Sequence, residues 1–224
     1  MNPLPKLCCA FVGILGFLFS LFASAQTTHV PVSPPVPIEL MLGNNRLFFQ
    51  SLISKPFAPG SRFGLFTIAV FQAGYNNDPN ETELAIPVQA SYRFWKGFGA
   101  FVGMAMNNKS GMHPVVGPQF VSAKPTYLIV VNGRYLLTAD HNYEVFALVE
   151  YKPKLNARWS LYSRAQGLYS YNSDSEFHDR SFFYLRLGLQ RNAFSFGPGA
   201  NLDVYGPDKT LKENYGVYFR WEFR

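Results

Sequence analysis

Between Tyr215 and Phe223 an aromatic or branched side chain occupies every second position: Tyr215, Val217, Phe219, Trp221 and Phe223. A period of two is that of a β-strand with one apolar face, and Gly216, Tyr218, Arg220 and Glu222 make the other face. So long an apolar strand at a sheet edge invites pairing with other chains unless something closes over it. Closing the sheet into a barrel abolishes the edge, and in lipid a closed barrel is one of the two backbone arrangements that leave no polar group unpaired.

The segment resembles the terminal strand of bacterial outer-membrane β-barrels, in which Phe stands at or near the last position; here Arg224 follows Phe223. The resemblance implies a bacterial cell outer membrane location, outer-membrane lipids and lipopolysaccharide as surroundings, and recognition of this strand by the barrel-assembly machinery. The chain is most similar in its general grammar to outer-membrane barrels of Bacteroidota. That grammar implies a superfamily and no particular activity.

The other end of the chain fits the same compartment. Lys6 precedes an apolar run from Leu7 to Ala23, and Ala23, Ser24 and Ala25 have the small-x-small form of a signal-peptidase site. We read residues 1–25 as a signal peptide, the alternative being a retained membrane helix. Cys8 and Cys9 both lie inside it, so the mature chain has no cysteine for a disulfide, thiolate metal site or nucleophile. Residues 26–36, rich in proline and valine, read as a periplasmic tail or linker, and residues 37–224 as one barrel domain. Without residues 1–25 the chain has 19 basic residues against 14 acidic ones, a balance of +5. The bases are dispersed and no nucleic-acid module accompanies them, so nucleic acid is not an expected partner.

Strand-like runs are expected over 37–43, 46–55, 62–75, 83–95, 99–108, 114–124, 125–138, 143–155, 158–172, 180–192, 194–206 and 212–224. This is an all-β chain forming a closed antiparallel transmembrane β-barrel of twelve strands, or ten if the first two runs are irregular, with both termini periplasmic. Alternation is clearest where Leu84, Ile86, Val88, Ala90, Tyr92 and Phe94 oppose Glu83, Ala85, Pro87, Gln89, Ser91 and Arg93. It returns where Phe183, Leu185, Leu187 and Leu189 oppose Arg180, Tyr184, Arg186, Gly188 and Gln190. Residues 62–75 are apolar on both faces, and their phase is not legible.

Alternation alone does not say which face points inward, since a soluble ligand-binding barrel hides its apolar face. Two belts decide for lipid. Trp95, Trp159 and Trp221 fall near the expected periplasmic end, and Tyr75, Tyr143, Tyr169, Tyr171 and Tyr215 near the other, as interfacial girdles do. Connections at 76–82, 107–113, 138–142, 172–179 and 206–211 are expected outside, and shorter ones at 96–99, 155–157 and 191–193 in the periplasm.

On this phase the interior receives Arg134, Arg158, Arg164, Arg186 and Arg220 with Glu144, Glu150, Asp203 and Glu222. A hairpin centred at 155–157 sets Glu150 opposite Tyr162, with Arg164 as its diagonal neighbour. The functional reading of the lining Arg134, Glu150, Arg158, Arg164, Arg186, Asp203 and Arg220 is selectivity for a small polar or anionic solute. The alternative is an ion-pair network that fills a narrow barrel and holds it shut. A passive channel or transport barrel is therefore the leading function, and a structural or partner-binding barrel with an occluded lumen is one alternative.

An outer-leaflet lipid-modifying enzyme is the other. His113, His141 and His178 fall in outward loops near Asp140, Asp179, Ser173, Ser175 and Ser181. The enzyme reading requires His178 or His141 within hydrogen-bonding reach of a serine facing the outer leaflet. The three histidines belong to different hairpins and no serine matches a family motif, so the sequence reads them as solvated loop residues. No paired histidine spacing indicates a metal, and the glycine-rich pieces lack the helix and lysine of a nucleotide site, so no cofactor is expected.

Overall fold

A computed structural model describes residues 34–224 apart from 77, 140 and 224. The signal-peptide reading and nearly all of the linker lie outside the described residues. Thirteen strands form one antiparallel sheet: β1 (Val36–Gly43), β2 (Arg46–Pro56), β3 (Phe63–Gly74), β4 (Glu83–Ala85), β5 (Val88–Trp95), β6 (Phe98–Asn107) and β7 (Gly111–Lys124), followed by β8 (Tyr127–Leu136), β9 (Asn142–Tyr151), β10 (Ser160–Asn172), β11 (Phe177–Arg191), β12 (Phe194–Tyr205) and β13 (Thr210–Phe223).

Apart from β4 and β5, which do not pair with each other, each strand pairs with its chain neighbours, and β1 pairs with β13 from Val36 opposite Phe223 to Gly43 opposite Gly216. That last ladder closes the sheet on itself, so no edge is left. β4 and β5 are successive pieces of one crossing: both pair with β3 and with β6. The wall therefore has twelve strands. The sequence reads 83–95 as one uninterrupted strand; Pro87 has no N–H to give the ladder and the pairing lapses at Ile86 and Pro87. Ile86 still donates its N–H to the Met106 carbonyl at 2.7 Å, which holds the broken crossing in place.

The two faces of the sheet are inverted relative to a soluble protein. Outward stand Ile38, Leu40 and Leu42 on β1, Leu185, Leu187 and Leu189 on β11, and Val217, Phe219, Trp221 and Phe223 on β13, all exposed. Inward stand Glu39, Gln50, Gln89, Asn132, Glu150, Arg164, Arg186, Asp203 and Arg220, all buried. Burying ionised groups while exposing Leu and Phe is unfavourable in water and favourable when the outside is hydrocarbon. Trp95 and Trp221 are exposed at the end where β1 begins and β13 ends, and Tyr75, Tyr143, Tyr169 and Tyr215 at the other.

Connection length separates the two ends less than the sequence implies. The turn at 152–159, on the side where β1 begins and β13 ends, is as long as the loop at 75–82 on the other. A bridge between Lys154 and Ser160 and a bond from the Leu161 N–H to the Pro153 carbonyl shape that turn. Its centre is shifted by one residue, so Arg164 lies directly opposite Glu150 and Gln166 opposite Leu148.

Candidate functional site

Inward side chains meet across the barrel rather than only along its wall. Nearest the end of β13, Arg220 on β13 binds Glu150 on β9 at 3.1 Å and also Glu222, while Lys152 joins Glu222 at 3.0 Å. The Tyr162 hydroxyl donates to Glu150 at 2.9 Å. Farther in, one carboxylate oxygen of Glu39 receives Arg164 at 2.7 Å and Arg186 at 2.8 Å. The Arg220–Glu150, Lys152–Glu222, Arg164–Glu39 and Arg186–Glu39 links join strands three or four places apart around the ring, so they run as chords through the interior.

Toward the loop end Asp203 receives Arg46 at 3.0 Å, Arg180 at 3.1 Å and the Tyr184 hydroxyl at 2.8 Å. Arg180 on β11 also reaches Glu83 on β4 at 2.8 Å, which connects diametrically opposite walls. Between the two ionic levels the Gln50 amide donates to Gln166 at 3.0 Å. Beside that bond an apolar wedge crosses the barrel, with Leu52, Phe66 and Ile68 of β2 and β3 packed against Val130, Phe146 and Leu148 of β8 and β9. The Phe66 and Phe146 ring centres are 6.3 Å apart.

The wedge explains why residues 62–75 are apolar on both faces: Phe66, Ile68 and Val70 turn inward and Leu65 and Phe71 outward. Sequence reasoning misses the wedge, and that two-sided run is one trace of it, as are the two-sided apolar runs at 128–131 and 145–149.

A cavity of about 150 Å³ remains on the loop side of the wedge. Phe66, Phe146 and Leu168 form part of its apolar wall, and Gln72, Asn132, Gln166 and Arg180 part of its polar wall. Gln72 Oε1, Asn132 Oδ1, Gln166 Nε2 and Arg180 Nε are buried there without a hydrogen-bond partner among the described residues. Buried polar atoms left in this way cost about 1–3 kcal/mol each unless water or a solute satisfies them. The cavity is thus built to be wet.

Of the seven residues read from the sequence as lining, Arg134, Glu150, Arg164, Arg186, Asp203 and Arg220 are buried and face inward. Arg158 is a correction. It sits in the turn before β10, exposed, with its N–H bonded to Asn156 Oδ1 at 2.9 Å, because the shifted turn ends the strand before it. The lining read from the sequence leaves out Glu39, Arg46, Glu83 and Arg180, although alternation already sets Glu83 and Arg180 on the polar faces of their strands. All four follow from alternation once Leu40, Leu47, Leu84 and Phe183 are set outward.

The histidines separate cleanly. His113 Nε2 lies 2.7 Å from the Ser110 carbonyl, and the His141 ring contacts the Tyr135 hydroxyl. Among the described residues His178 is the one whose ring meets a serine hydroxyl, with Nε2 2.7 Å from Ser181 Oγ; His141 receives the Ser173 hydroxyl on its backbone carbonyl instead. Among the described residues no cluster of His, Cys, Asp and Glu is arranged to hold a metal ion.

Fold and interior together define a twelve-strand β-barrel with the surface of a membrane protein. No protein-family model and no curated protein sequence matches the chain. Among solved structures it is similar to a KdgM porin at 13% identity and a TM-score of 0.47, covering 86% of this chain and 100% of that one. A NanC porin gives 13% identity and 0.46 over 85% of this chain and 99% of that one. OprD of Pseudomonas aeruginosa gives 9% and 0.40 over 80% and 60%. The membrane reading of this chain stands on its own two faces.

Proposed function

We propose that the protein is an outer-membrane barrel that passes small polar solutes through a narrow, self-constricted lumen. The observation that carries this reading is the polar cavity at the loop end, with unpartnered donors and acceptors on its wall and charged chords beneath it. Among the described residues the buried charges are five arginines, Arg46, Arg134, Arg164, Arg186 and Arg220, against the four acids Glu39, Glu150, Asp203 and Glu222. Such near balance favours neutral or zwitterionic solutes, with small anions next.

The termini would face the periplasm, the tyrosine belt the outer leaflet and lipopolysaccharide, and β13 the barrel-assembly machinery during insertion. Kinship with Bacteroidota barrels belongs to the same proposal and rests on sequence grammar alone.

The test is liposome swelling with the purified full chain. Glycine and glycerol should enter measurably and disaccharides should not, since the cavity holds only a few non-hydrogen atoms at a time. Absence of swelling together with absence of planar-bilayer conductance at any voltage overturns the channel and leaves an occluded barrel.

A further inference from the structure

The outward wall is apolar along nearly its whole circumference, and one polar pair on it has no part in a lumenal passage. On β11, Ser181 is opposite Tyr169 on one side and Val204 on the other, and His178 is opposite Tyr171. Tyr169 is 51% exposed and Phe183, two residues beyond Ser181, 46% exposed, so this face looks outward.

Residues 178 and 181 are separated by an odd number, and in a regular strand they would point to opposite faces. The register shifts between Ser170 and Tyr171, where Asp179 is an extra residue without a partner on β10. This β-bulge returns His178 to the outward face beside Ser181, the way bulges re-aim a side chain. Asp179 is diverted to Ser170 and Asn142, each at 3.3 Å.

The hydrogen bonds then set the ring's tautomer. His178 Nδ1 is 3.0 Å from the Gly206 carbonyl, which only accepts. A neutral ring therefore carries its proton on Nδ1 and turns the lone pair of Nε2 to the Ser181 hydroxyl 2.7 Å away. Tyr169 packs over the ring at 5.6 Å between centres, and His178 is only 8% exposed. A base whose far nitrogen is anchored by an acceptor and whose near nitrogen receives a serine hydroxyl is the arrangement of a nucleophile–base pair. Ser181 is paired with Tyr169, and Tyr171, opposite His178, is paired with Tyr143, so the pair lies within the tyrosine belt, the interfacial level where the ester groups of a glycerolipid are found.

We propose that Ser181 and His178 form an acyl-transfer site facing the membrane, with the carboxylic ester of a glycerophospholipid as substrate. Ser181 Oγ bonds to the ester carbonyl carbon as its proton passes to His178 Nε2. Collapse breaks the bond to the glycerol oxygen, and His178 returns the proton to that leaving alcohol. Water, deprotonated in turn by His178, releases the fatty acid and restores Ser181. The Gly206 carbonyl steadies the imidazolium formed in each half. Ser181 is paired on both sides within the sheet, which keeps its own amide from turning toward a developing oxyanion, so turnover should be slow.

The experiment uses the folded full chain in detergent micelles with a fluorophosphonate probe, then in mixed micelles of phosphatidylethanolamine. The expected result is a single covalent adduct mapped to Ser181 and release of free fatty acid. Ser181→Ala should abolish both and His178→Asn should slow both at least tenfold, with all three proteins keeping the fast gel migration of an unboiled barrel. Absence of the adduct in folded wild-type protein, or an adduct that persists in Ser181→Ala, overturns the site. An adduct on Ser181 without fatty-acid release overturns the lipid substrate. Neither readout depends on solute passage, so this proposal and the channel fail separately.

Discussion

Glu39 shows how much a single inward carboxylate holds together. It is buried, receives Arg164 and Arg186 on the same oxygen, and leaves Oε2 without a partner. Removing one member of a buried ion pair strands the other charge, with an expected loss of about 3–5 kcal/mol. Glu39→Gln should therefore lower the urea midpoint of unfolding in lipid vesicles well beyond scatter, while Glu81→Gln, at an exposed loop position, should leave it unchanged. Equal midpoints would show that water, not Glu39, compensates the two arginines. At this scale the sequence is informative about direction and poor about partners. Arg164, Arg186 and Arg220 are placed inward by the parity of their neighbours, but that Arg164 turns to Glu39 rather than to Glu150 beside it depends on a contact 125 residues away. His178 is a case where parity misleads, because an unpaired residue inside a strand carries no mark in composition.

Among the elements, β6 gives the plainest contrast between the two faces. Phe98, Ala100, Val102 and Met104 point outward, while Gly99, Phe101 and Gly103 point inward. Val102 is 62% exposed and lies near the middle of the crossing. Arginine there would sit at the centre of the hydrocarbon, at a cost of about 2–4 kcal/mol. Val102→Arg should thus lower folding stability in vesicles by that amount, while Arg158→Glu, in the exposed turn before β10, should not shift it. If Val102→Arg folds with wild-type stability, the outward face does not meet lipid and the membrane reading is lost. Strand existence and order are legible because each alternating run is bounded by turn residues. The break at Pro87 is marked by a residue without an N–H, whereas the shifted centre of the 152–159 turn is not legible, since it depends on where neighbouring ladders can still close.

For the whole molecule the decisive quantity is what fills the barrel. Twelve strands enclose room for a water path, yet here opposite walls touch through Phe66 and Phe146, through Gln50 and Gln166, and through Arg180 and Glu83. A general rule of polar interior and apolar exterior describes the ionic levels and fails at the wedge, where packing between distant walls replaces hydration. That failure could not be read locally, because Phe66 and Phe146 are 80 residues apart and each looks like an ordinary strand residue. The wedge and the ionic chords differ in how they should respond to truncation. Phe66→Ala with Phe146→Ala removes two rings from the interior and costs about 3–5 kcal/mol for each if the space stays empty and dry. The space adjoins a polar cavity, however, and water can enter it, so the loss should be smaller and a continuous path should appear. Planar-bilayer recordings are then expected to show a single-channel conductance several times that of the wild type, with little change in ion preference because the charged residues are untouched. An unchanged conductance would place the constriction at the Glu39 and Glu150 chords, and Glu39→Gln should then be the variant that widens the path.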